Sequence, residues 1–377
     1  MLTEELNEAV LALPTEVPMM NTTIASSLVT LALSLGILTS ASAANPPSRA
    51  AVAGAKKWFP GHYLMLQPDT YSTDNKSFRV LQGPDGKLFQ GLFMYVTWGQ
   101  IETNRSAFCW DKIDTLLQGL PPGKKIAFSL SWQGWGGVSQ ACPGDMIDHP
   151  AYDGGQRVRS THQQLSGVRF ATIHMPSTME RYLAFTKAFA ARYDTDPRLA
   201  FVTTAEIPYE SSLKVGQYHE ATARANLHRL TTMVQQFPQT PCGVLGAWWS
   251  FGGGDSEKDK FASAILTAGG GFGFPDLDGN MTGGHYRSHF RPHVLANAGK
   301  WPCWMGVEWQ DLMPERTGPK FPDNQIESAN LCKANFIWWI TSNRRKDGGY
   351  DFDTDVLNYL RAHPDAGITT TTPFVAK

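Results

Sequence analysis

Short apolar runs recur along this chain, each followed by a polar or helix-patterned stretch. Residues 61–67 (GHYLMLQ), 89–98 (FQGLFMYVTW), 125–132 (KIAFSLSW) and 199–206 (LAFVTTAE) read as strands. So do 243–250 (GVLGAWWS), 271–278 (GFGFPDLD), 304–309 (WMGVEW) and 336–340 (FIWWI). Most are continuously apolar rather than alternating, which suits a parallel sheet covered on both faces. Between them the spacing predicts helices. Ile113, Leu116, Leu117 and Leu120 share one face of a helix over 109–120, which Pro121-Pro122-Gly123 ends. Pro176 opens a helix running to 193, and Asp255 is a good N-cap for one running to 268. Further helices are expected over 215–237, 288–298 (disturbed by Pro292), 325–334 and 353–362. The polar segment 69–85 reads as a loop, and so does the Gly-rich stretch 133–175 after the third strand. A loop that long inside a domain is usually functional, and it predicts an extended cleft.

Eight strands alternating with helices over residues 58–362 predict an α/β fold, a single-domain (β/α)8 TIM barrel with a long loop after strand three. The expected organisation is an N-terminal extension over 1–45, the barrel domain over 46–365 and a short tail over 366–377. Within the extension, residues 20–44 carry an apolar core from Ile24 to Leu38 and then Ala41-Ser42-Ala43, resembling a signal-peptide cleavage site. The core is too short for a membrane span. A secreted or periplasmic protein is therefore expected, with no integral membrane span in its mature form. Balanced charge, 33 Lys and Arg against 34 Asp and Glu, gives none of the basic excess a nucleic-acid surface needs. The five cysteines fit no zinc spacing; Cys242 and Cys303 fall inside strands as buried thiols, while Cys109 and Cys142 could pair in an oxidising compartment.

The candidate chemistry sits at strand ends. Glu206 closes the fourth strand and Glu308 the seventh. In a parallel barrel, active sites are built at the C-terminal ends of the strands. Two carboxyls facing each other there suffice to cleave a glycosidic bond, one protonating the leaving oxygen and one ionised to attack or to activate water. A strand-end Glu can also be a loop ion-pair partner; Glu210 rivals Glu206 and Glu315 rivals Glu308. Of 12 tryptophans, Trp98, Trp132, Trp135, Trp248 and Trp309 lie at or just past strand ends. Each can serve as core filling, and as a set they offer stacking platforms for sugar rings. No cofactor or metal is expected. His285, His289 and His293 are spaced for one helix face, but Pro292 interrupts it and no carboxylate cluster completes a site. Gly252-Gly253-Gly254 lacks the rest of a phosphate loop, and no G-x-S-x-G elbow is present.

Three segments carry a family resemblance. RYDTDPRLAFVTTAE (192–206), VTWGQIETNRSAFCWDKID (96–114) and WMGVEWQD (304–311) resemble the approach to strand four, the segment after strand two and the nucleophile strand of clan A glycoside hydrolases. These are retaining (β/α)8 enzymes, so the resemblance implies a carbohydrate substrate, Glu206 as acid/base and Glu308 as nucleophile. It implies Trp338 or Trp339 as the strand-eight sugar platform, Tyr286 as the tyrosine that hydrogen-bonds the nucleophile, and His285 as a substrate contact. Glu102 would tie a loop. One position departs: the clan mostly has Asn before the acid/base, and here it is Ala205. Substrate contact there is expected to differ, and a non-catalytic carbohydrate-binding barrel stands as the alternative.

Overall fold

The structure, a computed structural model, describes residues 56–134, 140–158, 167–206, 220–246, 254–277, 291–314 and 319–374. These lie in one unit, Ala51–Lys377. Eight parallel strands close into a barrel: β1 (Gly61–Met65), β2 (Gly91–Thr97), β3 (Lys125–Ser131), β4 (Leu199–Glu206), β5 (Cys242–Leu245), β6 (Gly271–Phe274), β7 (Cys303–Val307) and β8 (Phe336–Ile340). Each strand pairs with its sequence neighbours, and β8 closes on β1 through Gly61↔Phe336 to Met65↔Ile340. The protein is a (β/α)8 barrel, as the strand count predicts.

Helices fill the crossovers: α1 (Lys76–Gln82), α2 (Trp110–Gly119), α3 (Pro176–Tyr193), α4 (Glu220–His228), α5 (Leu230–Gln235), α6 (Gly254–Thr267), α7 (Arg291–Ala296), α8 (Asp323–Cys332) and α9 (Leu357–Ala362). Helix α1 falls in the segment that reads as a loop. It forms because Asn75 accepts a hydrogen bond from the backbone of Phe78 at its N-terminus, and because Phe78 and Leu81 are buried on its inner face. Turn-forming residues on both sides hide that short apolar face in the sequence.

The barrel interior is packed, not hollow. Tyr63, Phe201 and Phe336 meet inside it, and the Trp304 ring stacks on Phe201 at 5.7 Å. Above them Trp338 lies face to face on Phe93 at 3.9 Å. Glycines make room for both indoles. A Cβ on Gly273 would come within 2.0 Å of Trp304, and one on Gly306 within 2.3 Å of Trp338. This large-on-small filling places two of the 12 tryptophans, and each buried aromatic contributes a few kcal/mol of apolar transfer.

The long loop after β3 starts at the barrel mouth. Its first residues, Gln133–Gly134, join a small antiparallel sheet with Gln156–Val158 and Arg169–Ala171. The Gln133 side chain donates to the backbone oxygen of Glu206 at 2.9 Å, and the Thr97 hydroxyl donates to the backbone oxygen of Gln133. All five cysteines are free thiols, so the Cys109–Cys142 bridge is not made. Cys142 is buried against Gly155, and burial pushes its thiol up to about 12.

Candidate active site

Side chains alternate in and out along a barrel strand, so a residue reaches the mouth only from an inward rung near the C-terminal end. On β7 the inward rungs are Trp304, Gly306 and, next in step, Glu308. Simple alternation therefore delivers Glu308. On β4 it would not deliver Glu206, because Phe201 and Thr203 face inward and the next inward position would be Ala205. A β-bulge corrects this. Gly243 pairs with Thr203, but Leu245 pairs with Glu206, so β4 carries one extra residue there. Leu245 in turn pairs with Gly273, whose absent side chain would meet Trp304, which fixes that rung as inward. Bulges next to active sites commonly re-aim a side chain in this way.

The bulge leaves ladder groups that need partners, and three hydroxyl contacts supply them. Ser129 Oγ donates to the Thr204 carbonyl at 2.7 Å. Thr204 Oγ1 donates to the Ala205 carbonyl at 2.6 Å and accepts from the Leu245 N–H at 3.4 Å. All of these residues are buried. Ala205 itself is buried and offers only a methyl group.

A residue missed by the sequence reading completes the floor of the mouth. Tyr95, on the inward side of β2, donates its hydroxyl to Glu308 Oε1 at 2.8 Å. Burial, then the charges of Glu308 and Glu206, push its phenol well above the ordinary tyrosine range, and Asp276 adds to this. The same phenol thus senses both candidate carboxylates together with Asp276, which follows β6. The backbone N–H of Glu308 is held at 2.8 Å by Asp311 Oδ2 from the turn Trp309–Leu312. Beside β2, Asp69 accepts from both the backbone and the hydroxyl of Thr97 and from Tyr71. Burial, with the charge and hydrogen bond of Asp69, pushes Tyr71 upward. The sequence signal for Tyr95 was its parity: Phe93, Tyr95 and Thr97 alternate up to the mouth.

Several expected platforms are core instead. Trp98 is fully buried and donates to Glu102 Oε2 at 2.7 Å. Trp132 is fully buried with its edge against Tyr182. Trp339 faces outward from β8, fully buried, and donates to His62 Nδ1 at 3.0 Å. Trp338 faces inward but is also fully buried, one rung beneath Glu308. An indole with no exposed face cannot stack a sugar, so these four are scaffold. Glu102 ties a loop: it accepts from Trp98, from the Ser106 backbone and from Arg181, which also pairs with Asp145. His285, Tyr286, Trp135, Trp248, Glu210, Glu315 and the side chain of Trp309 lie outside the described residues. Among the described residues no group of three or more His, Cys, Asp or Glu could hold a metal ion, and no helix is long and apolar enough to cross a membrane.

No family model and no curated protein matches the chain. Among solved structures it is similar to GH5_18 from Streptomyces cattleya in complex with GlcNAc, with 12% identity over 75% of this chain and 71% of that one, TM-score 0.43. It is also similar to the catalytic domain of β-amylase from Paenibacillus polymyxa, with 10% identity over 81% of this chain and 99% of that one, TM-score 0.48. A third is endo-glycoceramidase II from Rhodococcus sp., solved as a lactosyl-enzyme intermediate, with 12% identity over 81% and 80%, TM-score 0.47.

The bulge is testable. Thr204→Val keeps the shape and removes the hydroxyl, leaving the Ala205 carbonyl and the Leu245 N–H short of a partner. Urea unfolding is expected to show a loss of about 1–3 kcal/mol. A variant as stable as the parent would show that the bulge does not depend on this hydroxyl.

Proposed function

We propose that the protein is a retaining glycoside hydrolase that cleaves a poly- or oligosaccharide by double displacement. The observation that carries this reading is the placing of Glu206 and Glu308 on inward rungs at the C-terminal ends of β4 and β7, with the Tyr95 hydroxyl donating to Glu308 at 2.8 Å. Glu206 would protonate the glycosidic oxygen as it leaves. Glu308 would attack the anomeric carbon and form a glycosyl-enzyme. Glu206, now ionised, would then take a proton from water, and that water would release the sugar with its configuration retained. Retention calls for carboxyl groups about 5–5.5 Å apart.

The loop after β3 supports an extended substrate cleft, because it begins at Gln133 with a hydrogen bond to the backbone of Glu206. Asp276, adjoining the same cluster, is suited to hold a sugar hydroxyl. A second reading, a carbohydrate-binding barrel without catalysis, is favoured by Ala205, which offers no polar group beside the acid/base. We extend the proposal to an exported protein on the strength of the apolar segment and Ala41-Ser42-Ala43 in the sequence.

Hydrolysis across a panel of polysaccharides and aryl glycosides tests the reading. Glu206→Gln should lower turnover of poorly leaving substrates by about 10²–10⁴-fold, and Glu308→Gln should abolish it, both with native stability. Activity surviving either change would move that role to another carboxylate. Sugar binding by all three proteins with no turnover would favour the binding-protein reading. For export, N-terminal sequencing of the mature protein should begin at Ala44; an intact N-terminal segment in a cytoplasmic fraction would refute it.

A further inference from the structure

Tyr95 combines burial with a contact to the candidate nucleophile. It sits on an inward rung of β2, is 2% exposed, and has the edge of Phe93 against it at 5.2 Å and 82°. Its ring therefore has little freedom to turn away. Its hydroxyl spends its single proton on Glu308 Oε1 at 2.8 Å. The resemblance in the sequence assigned such a contact to Tyr286, after strand six. Here a donor comes from strand two.

We infer that Tyr95 is a positioning residue for the nucleophile: it clamps Oε1 of Glu308 and favours the ionised form of the carboxylate. This rests on the reading of Glu308 as nucleophile. The clamp has a direction. A carboxylate that accepts a hydrogen bond is favoured in its charged form, and neighbouring carboxylates disfavour it. Among the described residues, the titratable groups near this pair include Glu206 from β4, Asp276 after β6 and Asp311 from the turn after β7, with Asp69 and Tyr71 beside the end of β2. All five are acidic, so each opposes ionisation of Glu308 or leaves it untouched. Tyr95 is a donor that offsets them. Because burial and the charges of Glu308, Glu206 and Asp276 hold its phenol well above the ordinary tyrosine range, it remains a donor throughout any working pH. As the glycosyl-enzyme forms, Glu308 becomes a neutral ester and the hydrogen bond weakens. As the sugar departs, the carboxylate charge returns and the bond strengthens again.

The test compares wild type with Tyr95→Phe and with 3-fluorotyrosine at position 95, whose phenol is a stronger donor. Tyr63→Phe is the control for loss of a buried barrel hydroxyl, since Tyr63 donates to the Phe59 carbonyl and not to the site. Tyr95→Phe should lower kcat/KM roughly ten- to a hundredfold and move its acid limb to higher pH. The fluorinated residue should move that limb to lower pH, and Tyr63→Phe should leave it in place. If Tyr95→Phe does not fold, the fluorinated residue alone decides, because it preserves shape. Carbon-13 NMR of labelled glutamate, with the Glu308 carboxyl assigned by its loss in Glu308→Gln, reads the same coupling without substrate. Its titration should shift up in Tyr95→Phe and down with the fluorinated residue. An acid limb and a Glu308 titration unmoved by either change would overturn the inference. Failure of the wild type to hydrolyse any glycoside would count against the glycosidase reading alone, and the NMR titration would still decide whether Tyr95 controls Glu308.

Discussion

Everything at the mouth of this barrel follows from the strict alternation of side chains along its strands. A parallel strand shows every second residue to the interior, and the closed sheet allows no other route inward. The lower rungs are filled by Trp304 and Trp338 laid over glycines of β6 and β7, against Phe201 and Phe93. That filling leaves no lumen, so the rungs above it become a floor. Tyr95 and Glu308 stand on that floor by simple parity. Glu206 stands there only because β4 takes in one extra residue, whose polar backbone is satisfied by Ser129 and Thr204.

The electrostatics divide the acidic side chains into two kinds. Glu102 is buried and surrounded by donors, including the guanidinium of Arg181, at 2% and 8% exposure respectively. Such a pair gains its Coulomb attraction only by giving up hydration, so it contributes a fixed loop geometry more than net stability. Glu308 instead accepts from one buried phenol, whose proton the charges of Glu308, Glu206 and Asp276 help to retain. Neighbouring carboxylates raise the energy of their shared ionised state, which is the condition under which one serves as acid while another stays charged.

The sequence carried the fold well because eight continuous apolar runs with helix-patterned spacers admit few arrangements. The strands appear where the runs predict, several of them shortened, and α3 spans the predicted residues. Helix α1 escaped because only Phe78 and Leu81 mark its buried face amid turn residues. The two strand-end glutamates were legible because residue type and position coincide there. Trp98, Trp132 and Trp339 are buried, and the sequence could not separate that outcome from a platform: an indole at a strand end has the same local sequence whether it faces a sugar or fills the layer beneath. Partners distant in sequence decide the case, such as Tyr182 against Trp132 and His62 against Trp339. The bulge was equally hidden, since TTAE reads as an ordinary strand end until β5 supplies the register.

The central claim is that Glu308 becomes covalently attached to a sugar. A 2-deoxy-2-fluoro glycoside of whichever sugar the enzyme releases should trap that intermediate. Peptide mass spectrometry should then find one glycosyl adduct, on the peptide containing Glu308 and absent in Glu308→Gln. An adduct on a different carboxylate, or release of product with inverted configuration and no adduct at all, would contradict the account.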